Sequence, residues 1–138
     1  MRTYRWLLAT LLLCLAATQA MAQDRVVYHF DDASTQAMKG LRSIRNHLDG
    51  DPTTQITVVA LGPGVDMLMQ GYQNPQATDY AAQVTALKAR GVKFEVCENT
   101  VKFRGLKKEQ FLPEADYTPA GVMRLAKLQS QGFGYIKP

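Results

Sequence analysis

The sequence is poor in the residues that build disulfide scaffolds and metal centres. It has two cysteines and two histidines in 138 residues. The two histidines and Cys97 do not have the spacing of a metal-ligand set, so the sequence predicts no metal site. The other cysteine, Cys14, lies inside an N-terminal apolar run. Cys97 is therefore the one cysteine of the predicted mature chain, which excludes a fold held together by internal disulfides.

Long apolar runs are also scarce, and the one present opens the chain. Residues 6–17 are apolar apart from Thr10 and follow a short basic segment, and Ala20 and Ala22 are small residues at the positions that signal peptidase reads. This pattern predicts a secretory signal peptide over 1–22, cleaved after Ala22, and a periplasmic protein. The run is too short for a comfortable membrane span, and no later segment approaches one.

The predicted mature chain, residues 23–138, is long enough for one domain with a core of its own. Arg2 and Arg5 leave with the signal peptide, so the formal net charge falls from +4 to +2. So small an excess of positive charge gives no ground for nucleic-acid binding. We therefore expect a single exported domain that does not bind nucleic acid and has no membrane span after cleavage.

The pattern of apolar residues predicts alternating strands and helices. Residues 25–30 and 55–61 are rich in β-branched and other apolar side chains, as in strands covered on both faces. Between them an apolar stripe with steps of three and four predicts a helix over 34–48. Further along, the sequence predicts a short helix at 65–70, a loop at 72–78, a helix at 79–90, a strand at 91–97, a weak helix at 100–111, a short strand at 115–117, a helix that starts at Thr118-Pro119 and a strand at 133–136. This alternation predicts an α/β fold with a parallel sheet and helices on both faces.

Three segments rich in polar residues or glycine follow predicted strands, at 29–31, 62–64 and 97–100. The carboxyl ends of parallel strands meet at one edge of the sheet, where ligands bind, so we expect these segments to form the site. Gly62 and Gly64 flank a proline in a tight turn that resembles a phosphate-binding loop only loosely. Asn99 and Thr100 are predicted to cap a helix, and with the two glycines they are the candidate binding residues.

Cys97 is the candidate reactive residue, because it is predicted to end a strand just before a helix. Backbone N–H groups and the helix dipole at such a place favour a thiolate. A structural alternative is that Cys97 is a small buried hydrophobic residue, as free cysteines often are. His29 is a candidate hydrogen-bond partner or base near the thiol, and its alternative is a satisfied histidine at a strand end.

Several segments together resemble the DsrE/DsrF-like family, in particular its exported branch. They are VVYH at 26–29, IRNH at 44–47, ALKARGV at 86–92, CENT at 97–100 and GYIKP at 134–138. The resemblance implies a three-layer α/β/α fold with a five-stranded, mainly parallel sheet, and assembly into trimers or hexamers. It also implies that Cys97 corresponds to the cysteine on which cytoplasmic relatives relay sulfur as a persulfide. Export separates this chain from the partners of those relatives.

The leading hypothesis is a periplasmic sulfur-handling protein that carries sulfane sulfur on Cys97. This chemistry needs no cofactor, and sulfur-donating and sulfur-accepting proteins would be its partners; whether it counts as an enzyme is left open. One alternative is a non-catalytic oligomeric module that binds a ligand or a partner and has a structural cysteine. Another is a redox-responsive dimer linked through Cys97 of two chains.

Overall fold

The computed structural model of the protein describes residues 23–73 and 79–138. Five strands form one sheet in the order β4-β3-β2-β1-β5, and every neighbouring pair is parallel. This confirms the predicted α/β fold with a five-stranded parallel sheet. The strands are β1 (Arg25–Phe30), β2 (Gln55–Ala60), β3 (Lys93–Cys97), β4 (Ala115–Thr118) and β5 (Gly134–Ile136).

The helices of the described residues are α1 (Ala33–Gly50), α2 (Ala81–Ala89), α3 (Glu98–Phe103) and α4 (Gly121–Ser130), with short 3-10 helices at Gly62–Leu68 and Lys108–Gln110. Asp32 caps the N-terminus of α1, and its carboxylate accepts the Ser34 N–H at 3.0 Å. None of these helices is long and apolar enough to cross a membrane. The predicted signal peptide at 1–22 and most of the predicted loop at 72–78 lie outside the described residues.

The two faces of the sheet are covered unequally. On one face α1 and α2 pack over the large core, in which Tyr28, Phe30 and Phe94 are buried. The other face carries α4, and its smaller core consists of Val27, Val59, Leu125 and Leu128. Helices on both faces confirm the predicted three-layer arrangement. Odd-numbered residues of β1 and β3 point toward α4, because side chains alternate along a strand.

Two helix starts differ from those predicted. Asn99 and Thr100 do not cap α3: the helix begins at Glu98 and Cys97 is the N-cap. Thr118 and Pro119 do not start α4, because Thr118 pairs with Cys97 as the last residue of β4. Strand pairing holds Thr118 in an extended conformation and overrides its preference for a helix cap. Helix α4 starts at Gly121 instead.

Two more helices have bounds that differ from those predicted, and a glycine lies at each difference. Gly62 has a φ of +53°, turns the chain after β2 and is already the first residue of the 3-10 helix, so the predicted helix at 65–70 is tighter and begins earlier. The weak helix predicted at 100–111 is split into two short ones. Gly105, with a φ of +64°, lies just after the end of α3.

Candidate functional site

Cys97 lies where the carboxyl edge of the sheet meets two helices. It is the last residue of β3 and the N-cap of α3, and it is 6% exposed. Its side chain is on the face of the sheet that α4 covers. Within the part of the chain that the structure describes, Cys97 forms no disulfide.

The N-terminus of α4 supplies a hydrogen-bond donor to the thiol. The Gly121 N–H donates to Cys97 Sγ at 3.2 Å. A Cβ atom on residue 121 would come within 2.9 Å of Leu61 Cδ2 and 3.3 Å of Cys97 Cβ. Glycine therefore permits the close approach between α4 and the thiol. The role of Gly121 was not predicted from the sequence, although a glycine at the start of a predicted helix indicates close backbone packing.

The surroundings of Cys97 favour its thiolate form. Burial raises the pKa of the thiol, but the hydrogen bond from the Gly121 N–H lowers it, as do the hydroxyl and N–H of Thr100 and the Asn99 N–H. The lowering effects win, so the pKa of Cys97 lies below that of an ordinary thiol. Asn99 and Thr100 thus act on the thiol from inside the first turn of α3.

A hydrogen bond to Thr100 links the turn after β2 to the first turn of α3, next to Cys97. The Gly62 N–H donates to Thr100 Oγ1 at 3.0 Å. Gly62, Asn99 and Thr100 line one cavity of about 430 Å³, together with Pro63, Phe103 and Arg104. The structure therefore brings together three of the candidate binding residues predicted from the sequence.

Gly64 does not line this cavity. It packs against the end of β1, where a Cβ atom would lie 2.2 Å from the Phe30 carbonyl oxygen. Its observed contact is thus with backbone.

His29 is on the same face of the sheet as Cys97 but contacts another group. Its Nδ1 is 2.7 Å from the Tyr135 hydroxyl of β5. Strand β2 lies between β1 and β3, so about 10 Å separates the two strands that carry His29 and Cys97. Burial lowers the pKa of His29, the charge of Lys137 acts in the same direction, and the charge of Asp31 opposes both. The structure therefore pairs His29 with Tyr135 and not with Cys97.

A partly buried ion pair lies beside Cys97 on the face covered by α4. Arg124 Nε and Nη2 donate to the Glu95 carboxylate oxygens at 2.6 and 2.7 Å. Glu95 precedes Cys97 by two residues in β3 and is 8% exposed. This pair was not predicted from the sequence, although a glutamate within a strand of a sheet covered on both faces is an available signal. Within residues 23–73 and 79–138, no group of three histidine, cysteine or carboxylate side chains is arranged to hold a metal ion.

A match to a family model identifies the family of this chain. The model described as DsrE/DsrF-like family matches residues 9–138. The chain belongs to the DsrE/DsrF-like family. Membership confirms the resemblance found in the sequence and gives the chain a fold of the sulfur-relay type. A comparison with curated proteins gives no match.

Solved structures agree with the DsrE/DsrF-like fold. The protein of unknown function MTH1491 from Methanobacterium thermoautotrophicum has 28% sequence identity and a TM-score of 0.75, over 84% of this chain and 100% of that one. The YchN protein from E. coli has 12% identity and a TM-score of 0.69, over 84% of this chain and 99% of that one. At 12% identity the likeness to YchN concerns the fold alone.

The pH dependence of alkylation tests the state of the thiol. We expect the alkylation rate of native Cys97 to reach half its maximum below the pH of about 8.5 typical of a free thiol, because its pKa is lowered. The thiolate accordingly stabilises the fold above the pKa of the unfolded chain, and this contribution is lost as the pH falls through the folded-state pKa.

Gly121→Ala should move this midpoint upward, because the added Cβ separates the Gly121 N–H from Sγ. The measurement is the rate of reaction with a small alkylating reagent as a function of pH. Gly50→Ala is the matched control, since nothing lies within 4 Å of a Cβ at that position. An equal midpoint in Gly121→Ala and the unmodified protein would contradict the role of this N–H.

Proposed function

We propose that this DsrE/DsrF-like protein is a periplasmic sulfur carrier that holds sulfane sulfur as a persulfide on Cys97. The observation that carries the proposal is the hydrogen bond from the Gly121 N–H, at the start of α4, to Sγ of Cys97, the N-cap of α3, at 3.2 Å. This contact lowers the pKa of a solitary cysteine that ends a strand. Family membership supports the same chemistry, because the fold is of the sulfur-relay type.

Loading requires only a thiolate and a donor that contains sulfane sulfur. The Cys97 thiolate attacks the sulfane sulfur, a new S–S bond forms, the S–S bond of the donor breaks, and the donor leaves with the electron pair. Delivery reverses the roles: an acceptor thiolate attacks the outer sulfur, and Cys97 leaves as a thiolate. A lower pKa of the leaving thiol speeds this release. Gly121 N–H therefore assists both steps by stabilising the Cys97 anion.

Burial of Cys97 protects such a persulfide and restricts access to it. The start of α4 lies against the thiol, with the Gly121 N–H on Sγ, so a donor reaches Cys97 when the N-terminus of α4 moves. The small core under α4 favours this motion over one of α1 or α2, which close the large core.

The proposal includes export and assembly, as predicted from the sequence and the family. The protein acts in the periplasm after cleavage behind Ala22 and exchanges sulfur with donor and acceptor proteins. It assembles as a trimer or hexamer. Phe103 is 93% exposed at the end of α3, and Val122 and Met123 are exposed at the start of α4, so the helices around Cys97 offer apolar surface for contact between chains.

Sulfur loading is tested by the intact mass of the mature protein after incubation with polysulfide. We expect a gain of about one sulfur atom per chain, reversed by a reductant, because a persulfide is reducible. Cys97→Ser should show no gain and should keep the native fold, as judged by its circular dichroism spectrum. A gain that persists in Cys97→Ser would place the sulfur elsewhere and contradict the proposal.

A second candidate function follows from the burial of Cys97. At 6% exposure the thiol also suits a structural role in a module that binds a ligand or partner without transferring sulfur. Alkylation separates the two functions. A sulfur carrier reacts in its native state, whereas a structural cysteine reacts only after unfolding and shows no gain in mass with polysulfide.

A further inference from the structure

A second cavity lies on the face covered by α4, between this helix and the edge strand β4. Its volume is about 470 Å³. We call it the α4 groove; it is lined by Glu95, by residues 117–120 at the end of β4, and by Met123, Arg124 and Lys127 of α4. Cys97 and the predicted binding residues are not among the residues that line it. The groove is therefore separate from the cavity formed by Gly62, Asn99 and Thr100.

Arg124 is held in place by Glu95 and has donors left over. A guanidinium has five N–H groups in a fixed plane. The Glu95 carboxylate takes the Nε edge, through Nε and Nη2 at 2.6 and 2.7 Å. Within the described parts of the chain, no acceptor forms a hydrogen bond with Arg124 Nη1. One N–H of Nη1 and the second N–H of Nη2 therefore remain as two parallel donors on the other edge of the guanidinium. Parallel N–H groups of this kind bind carboxylate, sulfate and phosphate oxygens in pairs.

Lys127 adds a second cation to the same wall. It follows Arg124 by three residues in α4, so the two side chains lie on neighbouring positions of the helix surface. Its side chain is exposed and forms no ion pair with any residue that the structure describes. Arg124 and Lys127 together outweigh the single carboxylate of Glu95, so the groove carries an excess of positive charge.

We propose that the α4 groove binds a small oxyanion, with Arg124 as the bidentate donor and Lys127 as the second cation. Glu95 positions Arg124, because a paired guanidinium cannot swing away when the ligand leaves. Pro119, Ala120 and Met123 form an apolar wall of the groove, which suits an anion that carries a small apolar group. A carboxylate and a sulfur oxyanion such as thiosulfate share this chemistry. This site goes beyond sulfur transfer on Cys97, since binding here needs no thiol.

Equilibrium dialysis of labelled sulfate against the mature protein tests the groove, at constant ionic strength. We expect saturable binding of about one sulfate per chain. Lys127→Met and Arg124→Lys should each weaken it about tenfold, the loss expected for a hydrogen bond to a charged group. Arg124→Lys keeps a cation beside Glu95 and removes the paired N–H groups. Lys39→Met, on the exposed side of α1, removes the same charge far from the groove and should leave binding unchanged.

Competition identifies the source of the oxyanion. Displacement of sulfate by thiosulfate and acetate alike supports a site open to carboxylates, and displacement by thiosulfate alone supports a site for sulfur oxyanions. Cys97→Ser should bind sulfate as the unmodified protein does, which keeps this result independent of sulfur loading. Binding that does not saturate, or that weakens equally in Lys39→Met and Lys127→Met, would overturn the proposal, because it would report only the general positive charge of the protein.

Discussion

Gly64→Ala is expected to lower the free energy of unfolding by at least about 3 kcal/mol, at the upper end of what overpacking a core costs. A Cβ at residue 64 would lie 2.2 Å from the Phe30 carbonyl oxygen, 2.4 Å from the Phe30 carbonyl carbon and 2.8 Å from the Asp31 nitrogen. All three are backbone atoms. They cannot give way as a side chain does, because the Phe30 carbonyl also accepts the Leu61 N–H at 3.0 Å.

Urea unfolding of Gly64→Ala and Gly50→Ala gives the comparison. Gly50 is the last residue of α1, and nothing lies within 4 Å of a Cβ there. Alanine at residue 50 should change stability by no more than about 1 kcal/mol, with a gain expected from its better helix propensity. A loss below about 1 kcal/mol in Gly64→Ala would show that the turn after β2 relaxes away from β1, contrary to a tight contact between Gly64 and the Phe30 backbone.

Gly64 shows which features of the turn could be predicted from the sequence and which could not. The sequence indicated a tight turn at residues 62–64, because glycine and proline determine local backbone conformation. It could not indicate which backbone the turn approaches, since Gly64 meets Phe30 across the edge of the sheet. Gly64 was a candidate binding residue because it follows a strand in a turn that loosely resembles a phosphate-binding loop, and the observed contact is one of packing. Gly62, two residues earlier, does line the cavity with Thr100.

In the rest of the molecule too, local patterns were predictable and contacts between distant segments were not. Strands and the stripe of α1 were predictable, because the alternation of apolar residues follows from which side of each element is buried. The placement of Cys97 at a strand end was predictable for the same reason. Its hydrogen bond from Gly121 was not, since the donor arrives from an element that is distant in sequence. The helix start predicted at Thr118 was wrong, because pairing with β3 holds Thr118 in an extended conformation.

Arg124→Met is expected to destabilise the protein by about 1–3 kcal/mol, the cost of leaving a mostly buried carboxylate without its hydrogen-bond partner. Glu95 is 8% exposed, and its carboxylate takes two hydrogen bonds from Arg124. Methionine retains much of the apolar stem of arginine, so the loss reports mainly the unpaired carboxylate. The measurement is urea unfolding at neutral pH. Arg90→Met is the matched control, because Arg90 pairs with Asp49 at 2.8 Å on the exposed surface and should contribute less than about 1 kcal/mol.

The double variant Glu95→Leu/Arg124→Met separates the pair from the packing of α4. Removing both charges should recover most of the loss, because a buried ion pair is often replaceable by apolar residues. If Arg124→Met costs no more than Arg90→Met, the pair is hydrated and does not hold α4 against the sheet. The effect should extend to the thiol, since α4 also carries the Gly121 N–H that contacts Cys97. We expect faster alkylation of Cys97 in Arg124→Met and an unchanged rate in Arg90→Met, because loosening α4 uncovers the thiol and weakening a distant surface pair does not.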